Sequence, residues 1–129
     1  MGDAVSAGGF GLQVQPMVHV AEIASAIGFY ERLGGSLVYG SRDGDWALMR
    51  FGSSHVSLLA HPPGPEAGPV ELHFVSAEPL ERLEAHLRLR APDRIVRGVA
   101  DEAFGRMLTL RMPDGQLLKV LELDRGLIA

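Results

Sequence analysis

Three histidines, His19, His55 and His73, lie in separate strand-like runs, and Glu71 stands two residues before the last of them. Imidazole nitrogens with a carboxylate are the donor set that zinc and related divalent ions take. Brought together, these four groups would form a metal centre able to polarise adjacent oxygens of a substrate. Without a metal the same types support acid–base work. Glu71 or a histidine could remove a proton from an acidic C–H, with Lys119 or Arg111 stabilising the enolate. The plainer alternative is that the histidines line a hollow or an interface, since three strands must converge before any ion is held. His61, beside a proline-rich stretch, and His86, in a helical one, read as solvated.

Other side chains widen the choice. Trp46 shares a strand face with Leu48 and Arg50, and is either a stacking surface for a planar ligand or a core or interface aromatic. Arg111, on a face with Met107 and Thr109, could anchor an anion or pair with Glu71. Met17, Met49 and Met107 offer an adaptable apolar wall, although methionines at such spacing also build ordinary cores. The chain of 129 residues has no cysteine, which excludes disulfides, thiolate metal sites and a cysteine nucleophile. No nucleophile elbow with a Ser-His-Asp order is present. A net charge of −4 argues against a nucleic-acid surface, and no apolar run reaches the ~20 residues of a membrane helix. Met1–Gly11 has neither Lys nor Arg, unlike a signal peptide, so a cytoplasmic setting is expected.

The elements that must position these groups form a repeat. Residues 1–13 read as a flexible, glycine-rich tail, and residues 14–61 as a first module. A strand over Val14–Val20 puts Val14, Pro16, Val18 and Val20 on one face, and Gln15, Met17 and His19 on the other. A helix over Glu22–Leu33 follows, with Ile23, Ala26, Ile27 and Tyr30 as its buried stripe and Gly34-Gly35 as its stop. Strands over Leu37–Gly40, Trp46–Phe51 and His55–Ala60 complete the module. The Pro/Gly-rich residues 62–69 are a linker. Residues 70–124 repeat the order: a strand over Val70–Val75, and a helix opened by Pro79 with Leu80, Leu83 and Leu87 buried. Strands over Arg94–Ala100, Met107–Met112 and Leu117–Leu121 follow. Each half therefore reads β-α-β-β-β. Neither is large enough to bury its apolar face alone, and the seam between them is the expected place for a ligand.

With Phe29-Tyr30-x-x-Leu33-Gly34 entering one half and Asp114-Gly115-Gln116 turning late in the other, the chain resembles the vicinal-oxygen-chelate superfamily. That superfamily contains glyoxalases, ring-cleaving dioxygenases, fosfomycin-modifying enzymes and bleomycin-binding resistance proteins. The resemblance runs from about Val14 to Asp124. It implies an α+β fold of two βαβββ modules, forming curved mixed sheets around a cup with the helices outside, and it implies a homodimer.

The resemblance also implies four inward positions that hold the metal in metal-using members. They fall on Gln15, near Ser57 with His55 on the same face, on Glu71 with His73 beside it, and on Lys119. Lys119 stands where metal-using relatives carry glutamate. An ammonium has no lone pair to give and repels a divalent cation. Gln, Ser, Glu and Lys are not a credible zinc, nickel or iron set. Glu71 and Lys119 are expected to pair in place of the ion. The expectation is a metal-free, cofactor-free cup lined by Gln15, Met17, Trp46, His55, Ser57, Glu71, His73, Met107, Arg111 and Lys119. No residue in it need be catalytic. Such a cup would hold a planar or polycyclic natural product or antibiotic. The alternative is a metal-dependent lyase, isomerase or dioxygenase built on the histidines and Glu71.

Overall fold

A computed structural model of the chain describes residues 9–102 and 105–123. In chain order its elements are β1 (Leu12–Val14), β2 (Met17–His19), α1 (Ile23–Arg32), β3 (Ser36–Gly40), β4 (Trp46–Phe51), β5 (Ser54–Leu59) and β6 (Val70–Glu71). There follow β7 (His73–Ser76), α2 (Leu80–Arg90), a 3-10 turn (Pro92–Arg94), β8 (Ile95–Glu102), β9 (Gly105–Arg111) and β10 (Leu117–Leu123). The fold is α+β, with two mixed sheets of five strands and no closed barrel among the described residues. The chain divides into two units, one spanning Val14–Leu72 and the other, within the described residues, 9–13 with 73–123.

In the Val14–Leu72 unit the strands run β3-β4-β5-β2-β6. β2 lies parallel to β5, with Met17 beside Ser57, and the other pairings are antiparallel. The stripe read from the sequence does the packing: Ile23 and Ile27 of α1 are buried against Ala47, Met49 and Leu58. α1 stops where Gly34, at φ +97°, donates to Glu31 O (2.9 Å) and Gly35 donates to Tyr30 O (3.0 Å), a closure that favours glycine. Gly40 is more demanding still. It sits at φ +87°, and a Cβ there would meet Trp46 O at 2.2 Å, so only glycine lets β3 come this close to β4.

In the second unit the order is β1-β7-β10-β9-β8. β10 is parallel to β7 and antiparallel to β9. Leu80 and Leu83 of α2 are buried against Leu108 and Val120, with Leu87 packed on the same cluster. Register slips in β3 and β8, the outer strand of each sheet at one edge, mark bulges, which bend and twist a strand. The β9–β10 turn closes as its residues dictate: Gly115 N–H reaches Met112 O (2.8 Å) and Asp114 Oδ1 accepts from Gln116 N–H (3.2 Å).

Two expectations are corrected. The opening strand of each repeat is not continuous. Val14–Val20 breaks at Gln15 and Pro16 into β1 and β2, and Val70–Val75 breaks at Leu72 into β6 and β7, the pieces joining different sheets. Pro16 has no N–H for a ladder and so accounts for the first break; Leu72 offers no such reason. Nor is all of 9–13 a loose tail. Phe10 packs on His86 with ring centroids 4.9 Å apart, the Arg82 guanidinium lies 4.8 Å from the Phe10 ring centroid, and Gly11 O accepts from Ala77 N–H (3.1 Å). Residues 1–8 of the expected tail lie outside the described residues.

Candidate functional site

Alternation along a strand sends successive side chains to opposite faces. In the Val14–Leu72 unit Val18, Ala47, Met49, Val56 and Leu58 pack with the α1 core, so Met17, His19, Trp46, Leu48, His55 and Ser57 lie on the face away from the helix. Gln15, Met17 and Ser57 are buried, and Trp46, His55 and Glu71 partly so. Trp46 donates its indole N–H to Ser57 Oγ at 2.7 Å. That bond satisfies the one polar atom of Trp46 and fixes the ring plane.

His19 is engaged at both ring nitrogens. Its Nδ1 lies 2.8 Å from His61 O, and its Nε2 is hydrogen-bonded to Glu71 Oε2 across neighbouring strands. A carbonyl oxygen only accepts, so Nδ1 carries hydrogen. Two lone pairs cannot face each other at Nε2 and Oε2, so the pair holds one further proton. It is either an imidazolium with a carboxylate or an imidazole with a carboxylic acid. Both side chains are nearly buried. The His19 backbone N–H also donates to Pro69 O (2.8 Å), so one residue grips the proline-rich segment at both ends.

The second unit presents His73, Met107, Thr109, Arg111 and Lys119 on its helix-free face, since Phe74, Leu108, Leu110 and Val120 pack with α2. Lys119 sits in register between His73 on β7 and Thr109 on β9. His73 and Thr109 are buried. Arg111 donates to Gly115 O (2.7 Å), so one of its donors holds the turn beside it.

The residue beside Lys119 within its own sheet is His73, and the residue beside Glu71 within its sheet is Met17. The displaced histidine centre does not form among the described residues. β2 and β5 run parallel with His19 beside Leu59, four residues along β5 from His55, which sets the two imidazoles about 13 Å apart along the sheet. They cannot share an ion, and among the described residues no three His, Asp or Glu side chains gather as a metal site would need.

The sequence reading missed one feature. A hollow of about 320 Å³ opens at the ends of β2 and β5, lined by His19, Val20, Ala60, His61, Pro62 and Pro63. His61 is exposed, as expected, and its Nε2 meets Asp45 Oδ2 at 2.7 Å. That hydrogen bond holds the Asp45 carboxyl below its ordinary range. The two residues are 16 apart in the chain and no local pattern joins them.

Two solved structures show what the architecture is. A glyoxalase/bleomycin resistance protein/dioxygenase superfamily member from Vibrio splendidus 12B01 superposes with a TM-score of 0.62 at 20% identity, covering 86% of this chain and 98% of its own. NAD-dependent benzaldehyde dehydrogenase from Legionella pneumophila gives 0.66 at 19% identity, covering 87% and 100%. The chain shares the fold of these structures, the first a member of the superfamily whose α+β architecture the resemblance implied. No protein-family model matches the chain, and no curated protein matches it in sequence. The differing names of the two structures show that this scaffold does not by itself fix an activity.

Proposed function

We propose that the protein binds a small, largely planar organic molecule, such as a natural product or antibiotic, and sequesters it without metal or turnover. It does so as a cytoplasmic homodimer. The observation that carries this reading is Lys119. On the helix-free face, at the place where metal-using proteins of this fold carry a glutamate, stands an ammonium flanked by His73 and Thr109. A cation without a lone pair opposes a divalent ion there. Ser57, at a second such position, already accepts the Trp46 N–H. The face of the Val14–Leu72 unit suits an organic ligand: a fixed indole, the flexible thioether of Met17 and the His55 imidazole to orient it.

The test is elemental mass spectrometry of tag-free protein offered Ni²⁺, Zn²⁺, Mn²⁺ and Fe²⁺ anaerobically, followed by melting curves with planar natural products. Less than about a tenth of an equivalent of metal per chain is expected, and a rise in Tm with the right ligand by mass action. Lys119→Glu should raise metal uptake. About one equivalent in the parent chain, lost in His73→Ala, overturns the reading.

A second reading has one observation in its favour. The proton held between His19 and Glu71 is transferable, which suits acid–base turnover of a substrate with an acidic C–H. Conversion of a bound compound, abolished by Glu71→Gln with binding retained, would replace sequestration by catalysis.

A further inference from the structure

The hollow at the ends of β2 and β5 is lined by different residues from the helix-free faces, His19 excepted. Its volume falls at the low end of small-molecule sites, and its wall is of the usual kind: mostly apolar, with a few polar groups of fixed orientation. Val20, Ala60, Pro62 and Pro63 supply the apolar part, and the two prolines make a stiff side. Two imidazoles supply the rest. Those of His19 are both spoken for, Nδ1 by His61 O and Nε2 by Glu71.

His61 is placed differently. The Asp45 carboxylate takes its Nε2–H, so in the neutral imidazole the lone pair is on Nδ1. The His19–Glu71 pair, with its single extra proton, is electrically neutral whichever partner holds it. Among the described residues no Lys or Arg lines the hollow, and the Asp45 carboxylate is bonded to the lining residue His61. An anion finds no Lys or Arg here, whereas a donor finds an acceptor backed by the Asp45 charge.

We propose that this hollow is a second ligand site, taking a protonated amine on a small apolar body, with the ammonium donating to His61 Nδ1 in front of Asp45. The apolar body lies against Val20, Ala60 and the two prolines. This site is independent of whatever occupies the Trp46 face.

The test is an amide and indole NMR titration of the full chain with benzylamine, benzyl alcohol and benzoate. Benzylamine should shift the Ala21, Ala60 and His61 amides saturably while leaving the Trp46 indole signal in place. Benzyl alcohol should bind more weakly, and benzoate should not bind. Asp45→Asn, at an exposed turn, should weaken benzylamine about five-fold or more, and His61→Ala should weaken it at least as much. Equal binding of benzoate or benzyl alcohol, shifts confined to Trp46 and its neighbours, no shifts, or unchanged affinity in both variants would each overturn the proposal.

Discussion

The two units answer the same packing problem alike and tie their polar groups differently. Each lays one amphipathic helix on a five-stranded mixed sheet, and Ile23 and Ile27 in one do what Leu80 and Leu83 do in the other. In the second unit one set of charged ties holds the start of the helix. Arg106 binds both Glu81 of α2 and Glu122 of β10, and Glu122 Oε1 also accepts the Leu80 backbone N–H at 2.9 Å, holding the start of the helix. In the Val14–Leu72 unit His19, bonded at both ring nitrogens, lies on the face away from the helix. It binds loop carbonyl and strand carboxylate instead of helix. The apolar stripe is thus what a repeat must keep in order to fold. The polar ties differ: one set holds the start of α2, whereas His19 shapes a loop and a hollow, and the charged tie to α1 is the exposed Arg42–Glu31 pair.

The largest expected effect tests the shared part. Met49 and Leu108 occupy the third strand of each repeat, and both are fully buried. Met49→Ala and Leu108→Ala should each cost about 2–5 kcal/mol, through lost transfer energy and the cavity left behind. Urea denaturation followed by circular dichroism measures it. Equal losses support two cores of one kind; a nearly silent substitution at either site would break the equivalence.

A smaller effect tests the difference. Arg106→Ala removes a partner from two carboxylates and loosens the start of α2, and a smaller loss of stability than in the core variants is expected for such an exposed network. Its pH signature is more specific. The Arg106 guanidinium, hydrogen-bonded to Glu81, lowers that carboxyl from an ordinary 4.5 to about 2. A depressed folded-state value means the interaction contributes fully above the ordinary value and is lost as pH falls from 4.5 through about 2. Acid-unfolding curves should therefore lose part of their slope in that window in Arg106→Ala. An unchanged slope would leave the network without thermodynamic weight.

How much of this was legible beforehand follows from the range of the interactions. The stripes of α1 and α2, the Gly34 stop, the Trp46–Phe51 strand and the Asp114-Gly115 turn each depend on residues within a turn or two of one another, so spacing alone reveals them. Helix ends and most strand ends differ from the expected ones by a residue or two, where caps and fraying decide. The candidate site was half legible. Alternation gave the faces of Met17, Trp46, Ser57, Met107, Arg111 and Lys119, but which strand lies beside which is a long-range fact. The strand break at Leu72 put Glu71 in one sheet, beside Met17, and His73 in the other, beside Lys119. The docking of Phe10 on α2 was hidden by the glycines around it. The Asp45–His61 and His19–His61 bonds were hidden by distance along the chain.

The smallest effect is the most selective, because His19 grips the proline-rich segment by two different ring atoms. Nδ1 holds the His61 end and Nε2 holds Glu71, just past the Pro69 end. An asparagine amide reproduces the reach of Nδ1, and a glutamine amide that of Nε2. His19→Asn should therefore keep the bond to His61 O and release the Glu71 end, while His19→Gln should do the reverse. Amide hydrogen exchange reads the two ends separately. The loop amide of Ala67, bonded to Gly64 O at 3.1 Å, serves as a common reporter between them. Exchange should rise about ten-fold at Glu71 and Val70 in the first variant and around His61 in the second, with α1 unchanged in both. Uniform acceleration across the unit would instead make His19 part of the core, and the contrast between a helix-anchored unit and a loop-anchored one would have to be given up.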